Sequence, residues 1–432
     1  MPRHWRDSGM MKIGLHQLAV FLGTVWGLTF ILLMVDTNVS DPNKFVESDY
    51  IVDFYPAGHL AATGQVSDLY PGPNDNSIWG SRFDKATHSL LPQLSKDSPA
   101  IFRYSPIVAG MFAPLSIVSP HISLLAWQMT SIAALILSCV FLSRTNLAKA
   151  VDIVCLSALF FPLMVNLWAG QVSLVLGLLP LSAGYLLLIK GRPFASGLAW
   201  SFLALKPQYF LVAAFVAVAQ VCAGRLKCFA GVVVGVIGLA TANILFFPME
   251  VNMNWVYSLR FSDVIYSSGQ YKLPVHLMTS LPMDLLILLP IGSRAMAKLP
   301  IYGAVAALWL MGLWQSKRIV NSQVDDCSKM SLILVTALLL LPLTSPHLLY
   351  YDLCMFLPAG VILLKNNWPP PQSVSLKRIA LVGWISISIY GLVILNMKPT
   401  LSLAVVLLMI LLLLFVELLR RINNICLSSG PL

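Results

Sequence analysis

A chain of 432 residues with 58% hydrophobic and 11% charged side chains, and a mean hydropathy of +0.80, is not a soluble globular domain, for which about 25% charged residues is usual. Apolar runs of about 18 residues recur along it, each able to cross a hydrocarbon layer of about 30 Å as a helix, and their continuous apolarity excludes a β-barrel. The formal net charge of +10 is scattered through short loops, which excludes a nucleic-acid-binding patch and suits the cytoplasmic face of a membrane protein.

Taken in order, residues 1–11 carry Arg3 and Arg6 ahead of an apolar run that ends at Met34. That run reads as an uncleaved signal anchor with a cytoplasmic N-terminus. A long polar interruption follows, a first outer loop at 35–120. It contains Glu47-Ser48-Asp49-Tyr50-Ile51-Val52-Asp53-Phe54-Tyr55-Pro56 and closes with Phe102-Arg103-Tyr104-Ser105-Pro106. The short proline-bearing apolar stretch 107–118 predicts a helix on the outer surface.

Spans are expected at 121–142, 153–166 and 172–189, with Arg144, Lys149, Lys190 and Arg192 inside. From 194 to 222 the chain is apolar except at Lys206-Pro207-Gln208. Basic residues at both flanks and a helix-breaking proline predict a hairpin of two short helices with Lys206 at its outer tip. A span at 229–247 leads to a second large outer loop, 248–298, holding Trp255, Tyr257, Arg260, Asp263, Tyr266, Tyr271, Lys272 and His276. Further spans at 299–315 and 330–344 reach a compact polar turn, Ser345-Pro346-His347-Leu348-Leu349-Tyr350-Tyr351-Asp352. Spans at 353–364, 379–397 and 401–419 end in a cytoplasmic tail, 421–432.

The fold class is thus an all-α polytopic membrane protein of about 12 transmembrane helices in one integral membrane domain, 1–432. Surface helices are expected in its first outer loop. Over this layout the basic excess falls entirely on the inner loops, which places both termini in the cytoplasm and the polar clusters on the outer face. The seven cysteines form no CxxC pair and read as small hydrophobes.

The chemistry-bearing residues follow from that layout. Asp49 and Asp53, four apart, share a helical face, and paired carboxylates of which one is desolvated are a route to a general base near neutral pH; acids in a loop are otherwise simply solvated. Arg103 and Lys206 are cations at the outer membrane boundary, suited to a phosphate or to snorkelling. His347, Tyr350, Tyr351 and Asp352 form a third outer cluster, and Gln171 follows Gly170 in an outer turn. No Walker loop, nucleophile elbow, dinucleotide fingerprint or zinc spacing occurs.

Residues 49–70 (DYIVDFYPAGHLAATGQVSDLY), 102–115 (FRYSPIVAGMFAPL), 166–171, 205–208 and 345–352 resemble, in order and in outward placement, the C-superfamily (GT-C) glycosyltransferases, most closely glycosyltransferase family 87, the polyprenyl-phosphate-mannose-dependent type. The resemblance implies a GT-C-like bundle in the inner (plasma) membrane. Its activity would be inverting transfer of a sugar, a hexose such as mannose, from a polyprenyl-phosphate donor to a glycolipid or glycan hydroxyl on the outer, periplasmic or extracellular face.

It further implies Asp49 or Asp53 as general base: Asp49 aligns if one residue is inserted before Phe54-Tyr55, Asp53 if Asp-Phe-Tyr is the anchor. Arg103, Lys206 and His347 would lie at the donor phosphate, and Tyr55, Tyr104, Gln171, Gln208, Tyr350 and Tyr351 at the substrates. Membrane lipids are the surroundings and no nucleic acid is a partner. No organic cofactor and no protein-held metal are expected. The competing readings are a polyprenyl-diphosphate-dependent oligosaccharide ligase or polymerase, and a lipid-linked sugar flippase or transporter.

Overall fold

The computed structural model describes residues 14–72, 75, 77–259, 275–365, 372–397 and 403–428. The N-terminal segment 1–11, the tail from 429 on, and Arg260, Asp263, Tyr266, Tyr271 and Lys272 of the second polar loop lie outside the described residues. What is described is helical, with an isolated bridge between Met278 and Leu349 as its extended pairing.

Among the described residues six helices are long and apolar enough to cross a membrane: Leu15–Ser40, Pro120–Leu142, Leu226–Phe246, Ile291–Asn321, Asp326–Thr344 and Val374–Met397. A seventh span is formed if Leu147–Ser157 and Phe161–Ala169, bent by 79° at their junction, are taken together. The protein is therefore a multi-pass, all-α membrane protein, and helix length and composition account for six or seven of the expected spans. Of the other apolar runs, that at 401–419 lies in the 25-residue helix Ala404–Ser428, and the rest fold as helices of 10–17 residues, among them Pro193–Leu205 and Pro207–Cys222. Prolines set these breaks: Pro162, Pro193 and Pro207 each sit in the first turn of a new helix, where the missing N–H costs no hydrogen bond. The first helix runs through Asp36 to Ser40, past the boundary placed at 35.

Asp326–Thr344 is the centre of the bundle, with every residue from Met330 to Thr344 buried. Leu15–Ser40, by contrast, leaves Phe21, Leu28 and Leu32 exposed, as a lipid-facing helix does. Beside the centre, Pro193–Ser201 and Leu226–Phe246 approach so closely that a Cβ on Gly197 would fall 2.1 Å from the carbonyl oxygen of Cys228. One on Gly231 would fall 2.1 Å from that of Phe194, and one on Gly235 2.1 Å from Ser201 Oγ. Gly197 with Ser201 and Gly231 with Gly235 are small residues at a spacing of four on facing helices, the arrangement that brings backbones together where water supplies no hydrophobic drive.

The segment between the first helix and Pro120 is not a bare loop. It folds as short turns and the helices Tyr55–Ala62, Arg82–Leu90 and Pro106–Phe112, around an aromatic cluster. Phe54 packs on Phe112 and Tyr104, each at 5.0 Å between ring centres, and Trp127 meets Phe112 at 4.7 Å. Gly58 lies against the Phe112 backbone, where a Cβ would meet the carbonyl oxygen at 2.6 Å. Only a residue without a side chain lets these two helices touch there.

Candidate active site

Two widened turns place the polar groups. Tyr50–Phe54 and Ser173–Leu178 are π-helical, the first closed by the Tyr55 N–H on the Tyr50 carbonyl, the second by the Leu179 N–H on the Leu174 carbonyl. Such insertions are frequent at functional sites because the extra residue re-aims the neighbouring side chains. In the first, Tyr50 and Phe54 are turned into the aromatic cluster, with Tyr50 Oη 2.6 Å from Ser123 Oγ. Asp49 and Asp53 then project together from the other side.

Both carboxyls keep a partly accessible edge but are ringed by protein, and the two effects of that setting run the same way. Burial raises the pKa of Asp49 above the ordinary carboxylate value, opposed by hydrogen bonds from Gln171 and Tyr351 and by the charges of Arg103 and Lys206. Burial raises Asp53 further, with the negative charge of Asp49 adding to it, against Arg103 and a hydrogen bond with the backbone of Ile101. Two acids in one desolvated place cannot both ionise easily, so one proton is retained well above the usual range.

Gln171 links this pair to the rest. The helix Phe161–Ala169 ends at Gly170, which adopts the left-handed conformation with φ of 65°, the usual helix-terminating geometry for glycine. A side chain at 170 would also strike Tyr50 and Leu124 at 2.6 Å. The next residue, Gln171, donates from Nε2 to Asp49 Oδ2 (2.5 Å) and to Tyr351 Oη (3.0 Å). Its Oε1 accepts from the Val172 N–H at 3.3 Å and faces Tyr104 Oη at 3.5 Å.

A second polar centre lies behind Tyr351. Lys206 stands in extended backbone between the turn Phe202–Leu205 and the helix Pro207–Cys222, so the hairpin of short helices is present. Its ammonium is buried and ion-paired: Nζ is 2.6 Å from Asp352 Oδ1, with side chains 2% and 1% exposed. Ser173 Oγ donates to the same oxygen at 3.0 Å, as does Tyr209 Oη, and the Leu349 N–H reaches Oδ2 at 3.1 Å. Lys206 Nζ also lies over the rings of Tyr209 and Tyr351, at 4.8 and 5.2 Å. The carboxylate of Asp352 thus receives four donors, the satisfaction a buried charge requires.

Against the second centre opens a cavity of about 110 Å³ whose walls include Arg103, Tyr104, Lys206, Gln208, His347, Tyr351 and Asp352; Asp49 and Asp53 do not line it, and Gln171 joins Asp49 to Tyr351 at its wall. Arg103 is held by its backbone, its carbonyl accepting from Trp255 Nε1 at 3.2 Å. Of the sequence-derived candidates, Asp49, Asp53, Arg103, Tyr104, Gln171, Lys206, Gln208, His347 and Tyr351 are brought together. Two are not. Tyr55 turns its hydroxyl to the Val118 carbonyl at 3.0 Å, and Tyr350 to that of Ile387 at 2.9 Å, its ring between Phe161 and Tyr390. Among the described residues no group of three or more His, Cys, Asp or Glu side chains is placed to hold a metal ion.

The model of glycosyltransferase family 87 matches residues 102–346, more than half of the chain. The chain belongs to glycosyltransferase family 87. This family 87 protein is accordingly a membrane glycosyltransferase. The match takes in Arg103, Tyr104, Gln171, Lys206 and Gln208; the Asp49–Asp53 pair and the turn from His347 to Asp352 lie outside it and join those residues through the contacts just described. No curated protein and no solved structure matches the chain.

Two members of the site, Ser173 and Tyr209, were not singled out from the sequence, and Asp352 was named only within the outer cluster around His347, not as the counter-ion of Lys206. Tyr209 had a signal, since three residues after Lys206 on the first helical turn it shares the lysine's side. Ser173 had none, because its direction depends on the π-turn that begins with it.

Proposed function

We propose that the protein transfers a sugar, a hexose such as mannose, from a polyprenyl-phosphate donor to an acceptor hydroxyl at this cavity, with inversion at the anomeric carbon. The observation that supports it most is the pairing of two carboxyls of raised pKa with Arg103 and a cation-lined cavity. Arg103 and Lys206 line that cavity, and Asp49 is joined to its wall through Gln171, which donates to both Asp49 and the lining residue Tyr351.

Within the pair, Asp49 is the better base. Its carboxylate is stabilised by Gln171 and Tyr351, which connect it to the cavity, so it is the acid that ionises first and can receive the acceptor proton. Asp53, the more strongly raised, holds the remaining proton and keeps a second negative charge out of the site. Arg103 supplies the planar donor set suited to a phosphate oxyanion leaving the anomeric carbon. Lys206 is neutralised by Asp352, so its contribution is a positioned ammonium at the cavity wall rather than an unbalanced cation. His347 and Gln208 complete the donor side, and Tyr104 and Tyr351 the acceptor side.

By the charge layout the cavity faces outward, where a lipid-linked donor presents its head group. The test is transfer of radiolabelled sugar from polyprenyl-phosphate-mannose by the purified protein. Asp49→Asn is expected to abolish product while donor binding persists. Full transfer by Asp49→Asn would remove its assignment as base, and full transfer by Asp53→Asn as well would remove the pair from the chemistry.

A further inference from the structure

A second, larger cavity of about 720 Å³ lies at the far end of the same helices. The helix Pro207–Cys222 follows directly on Lys206 and carries Gln208 at the first cavity and Gln220 at the second. At 1.5 Å per residue the two are about 20 Å apart. Asp326–Thr344 likewise runs from Asp326, Cys327 and Met330 in the second cavity towards His347 in the first. None of the groups in this second space takes part in the chemistry described above.

Its walls are basic. Arg225 and Lys227 line it, and the exposed Lys190 and Arg192 flank the lining residue Gly191. Arg144 reaches the lining residue Cys327, with Nη2 3.0 Å from Sγ. Arg144 and Thr145 hold positive φ angles of 57° and 68°, a conformation that bulky and β-branched side chains avoid and that persists where its surroundings require it. The acid lining the cavity is Asp326, which pairs with Arg225 at 3.2 Å and Lys329 at 3.8 Å. Asp326 is 71% exposed, so the pair is weak and exchangeable. The neighbouring Asp325 is occupied in capping the Ser328 N–H at 3.0 Å.

The backbone adds to this field. Pro193–Ser201 and Leu226–Phe246 begin at the cavity without side-chain caps, so their positive ends face it. The buried carboxamide of Gln220, 2% exposed, lines the space and donates to the thioether of Met330, a weak acceptor.

We infer that this cavity binds a phosphate group, a phosphodiester or phosphomonoester, between Arg225, Lys227 and the two helix starts. It is a site separate from the sugar-transfer cavity. The charge layout puts this face on the inner side of the membrane, where anionic phospholipid head groups and free phosphate both supply that chemistry.

The test uses the full-length protein in nanodiscs of phosphatidylcholine with or without phosphatidylglycerol. Lipid retained after extraction is read by native mass spectrometry, and thermal stabilisation by inorganic phosphate is read in the zwitterionic discs. Wild type is expected to retain phosphatidylglycerol selectively. Arg225→Gln/Lys227→Gln should lose that preference about twenty-fivefold, each cation contributing about fivefold. Arg225→Lys/Lys227→Arg should keep it, and Asp326→Asn, which releases Arg225, should strengthen it.

Stabilisation by inorganic phosphate, lost in the Gln variants and without lipid selectivity, would place the free anion there instead and equally supports a phosphate site. If the double variant fails to fold, Lys227→Gln alone and a salt titration give the same reading, since the preference should fall with ionic strength. Equal retention by wild type and Gln variants, with no phosphate stabilisation, overturns the inference.

Discussion

The Lys206–Asp352 pair allows the structural and the donor-binding roles of a buried cation to be separated. Replacing Asp352 by Asn keeps the shape and one acceptor oxygen for Ser173 and Tyr209 but leaves the ammonium of Lys206, 2% exposed, without its counter-charge. Removing one partner of a buried pair costs about 3–5 kcal/mol. The new amide would also point an N–H at the Leu349 N–H that now donates to Oδ2, a donor–donor conflict of about 1–3 kcal/mol. Lys206→Met alone leaves the opposite charge uncompensated, though Ser173, Tyr209 and Leu349 still donate to it, so its cost lies at the lower end of that range.

The double variant Lys206→Met/Asp352→Asn buries no charge, and is expected to be less damaged than the sum of the singles by about 2 kcal/mol or more. Thermal inactivation of detergent-solubilised protein measures this as a rate at fixed temperature, the operational stability of a large membrane protein. Donor binding is then measured on the same three proteins. If the ammonium touches the donor phosphate, the double variant recovers stability but binds donor about 10- to 150-fold more weakly, the loss of one charge-assisted hydrogen bond. Additive damage in the double variant would refute the buried ion pair; donor affinity recovered together with stability would refute the phosphate contact.

Three further outcomes follow from the same geometry. The rate of transfer should rise with pH through a carboxyl pKa above the ordinary 3.8, and Gln171→Leu, which removes a hydrogen bond favouring ionised Asp49, should move that rise to higher pH in a pH–rate profile. Because the folded state raises the Asp53 pKa above 3.8, its stabilising protonation is complete below that pH and lost as pH rises through the folded value; Asp53→Asn should therefore gain stability relative to wild type between acid and neutral pH, read by thermal inactivation at a series of pH values. Gly58→Ala drives a Cβ to 2.6 Å from the Phe112 carbonyl and should cost about 1–3 kcal/mol, whereas Gly238→Ala, with nothing within 4 Å, should be neutral or stabilise by up to about 1 kcal/mol, compared by the same inactivation assay.

What the sequence made legible follows from which signals are local. Continuous apolarity gives the all-α membrane class because the hydrocarbon layer admits few alternatives. The break at Lys206-Pro207 is local too, as proline states its own constraint. Span count is less local: the span expected at 153–166 is divided between Leu147–Ser157 and Phe161–Ala169, which meet at 79° just ahead of Pro162, in the first turn of the second helix. The fate of tyrosines is less local still. Tyr350 and Tyr351 are adjacent and equally amphipathic, but successive residues point apart, so one hydroxyl serves the Ile387 carbonyl and the other Gln171.

The same reasoning explains why the site could be approached from sequence but not assembled from it. Asp49, Gln171, Lys206 and Tyr351 come from four separate segments, and the contacts between them rest on features that no composition reveals: two π-turns, one left-handed glycine and one lysine in extended backbone. Each departs from regular helix inside a bundle where an unsatisfied backbone group is costly. Each departure is also occupied: Tyr50 turns into the aromatic cluster, Ser173 and Lys206 meet on Asp352, and Gln171 reaches Asp49. At this site, then, the side chains converge through departures from regular helix, which the positions of the charges alone do not reveal.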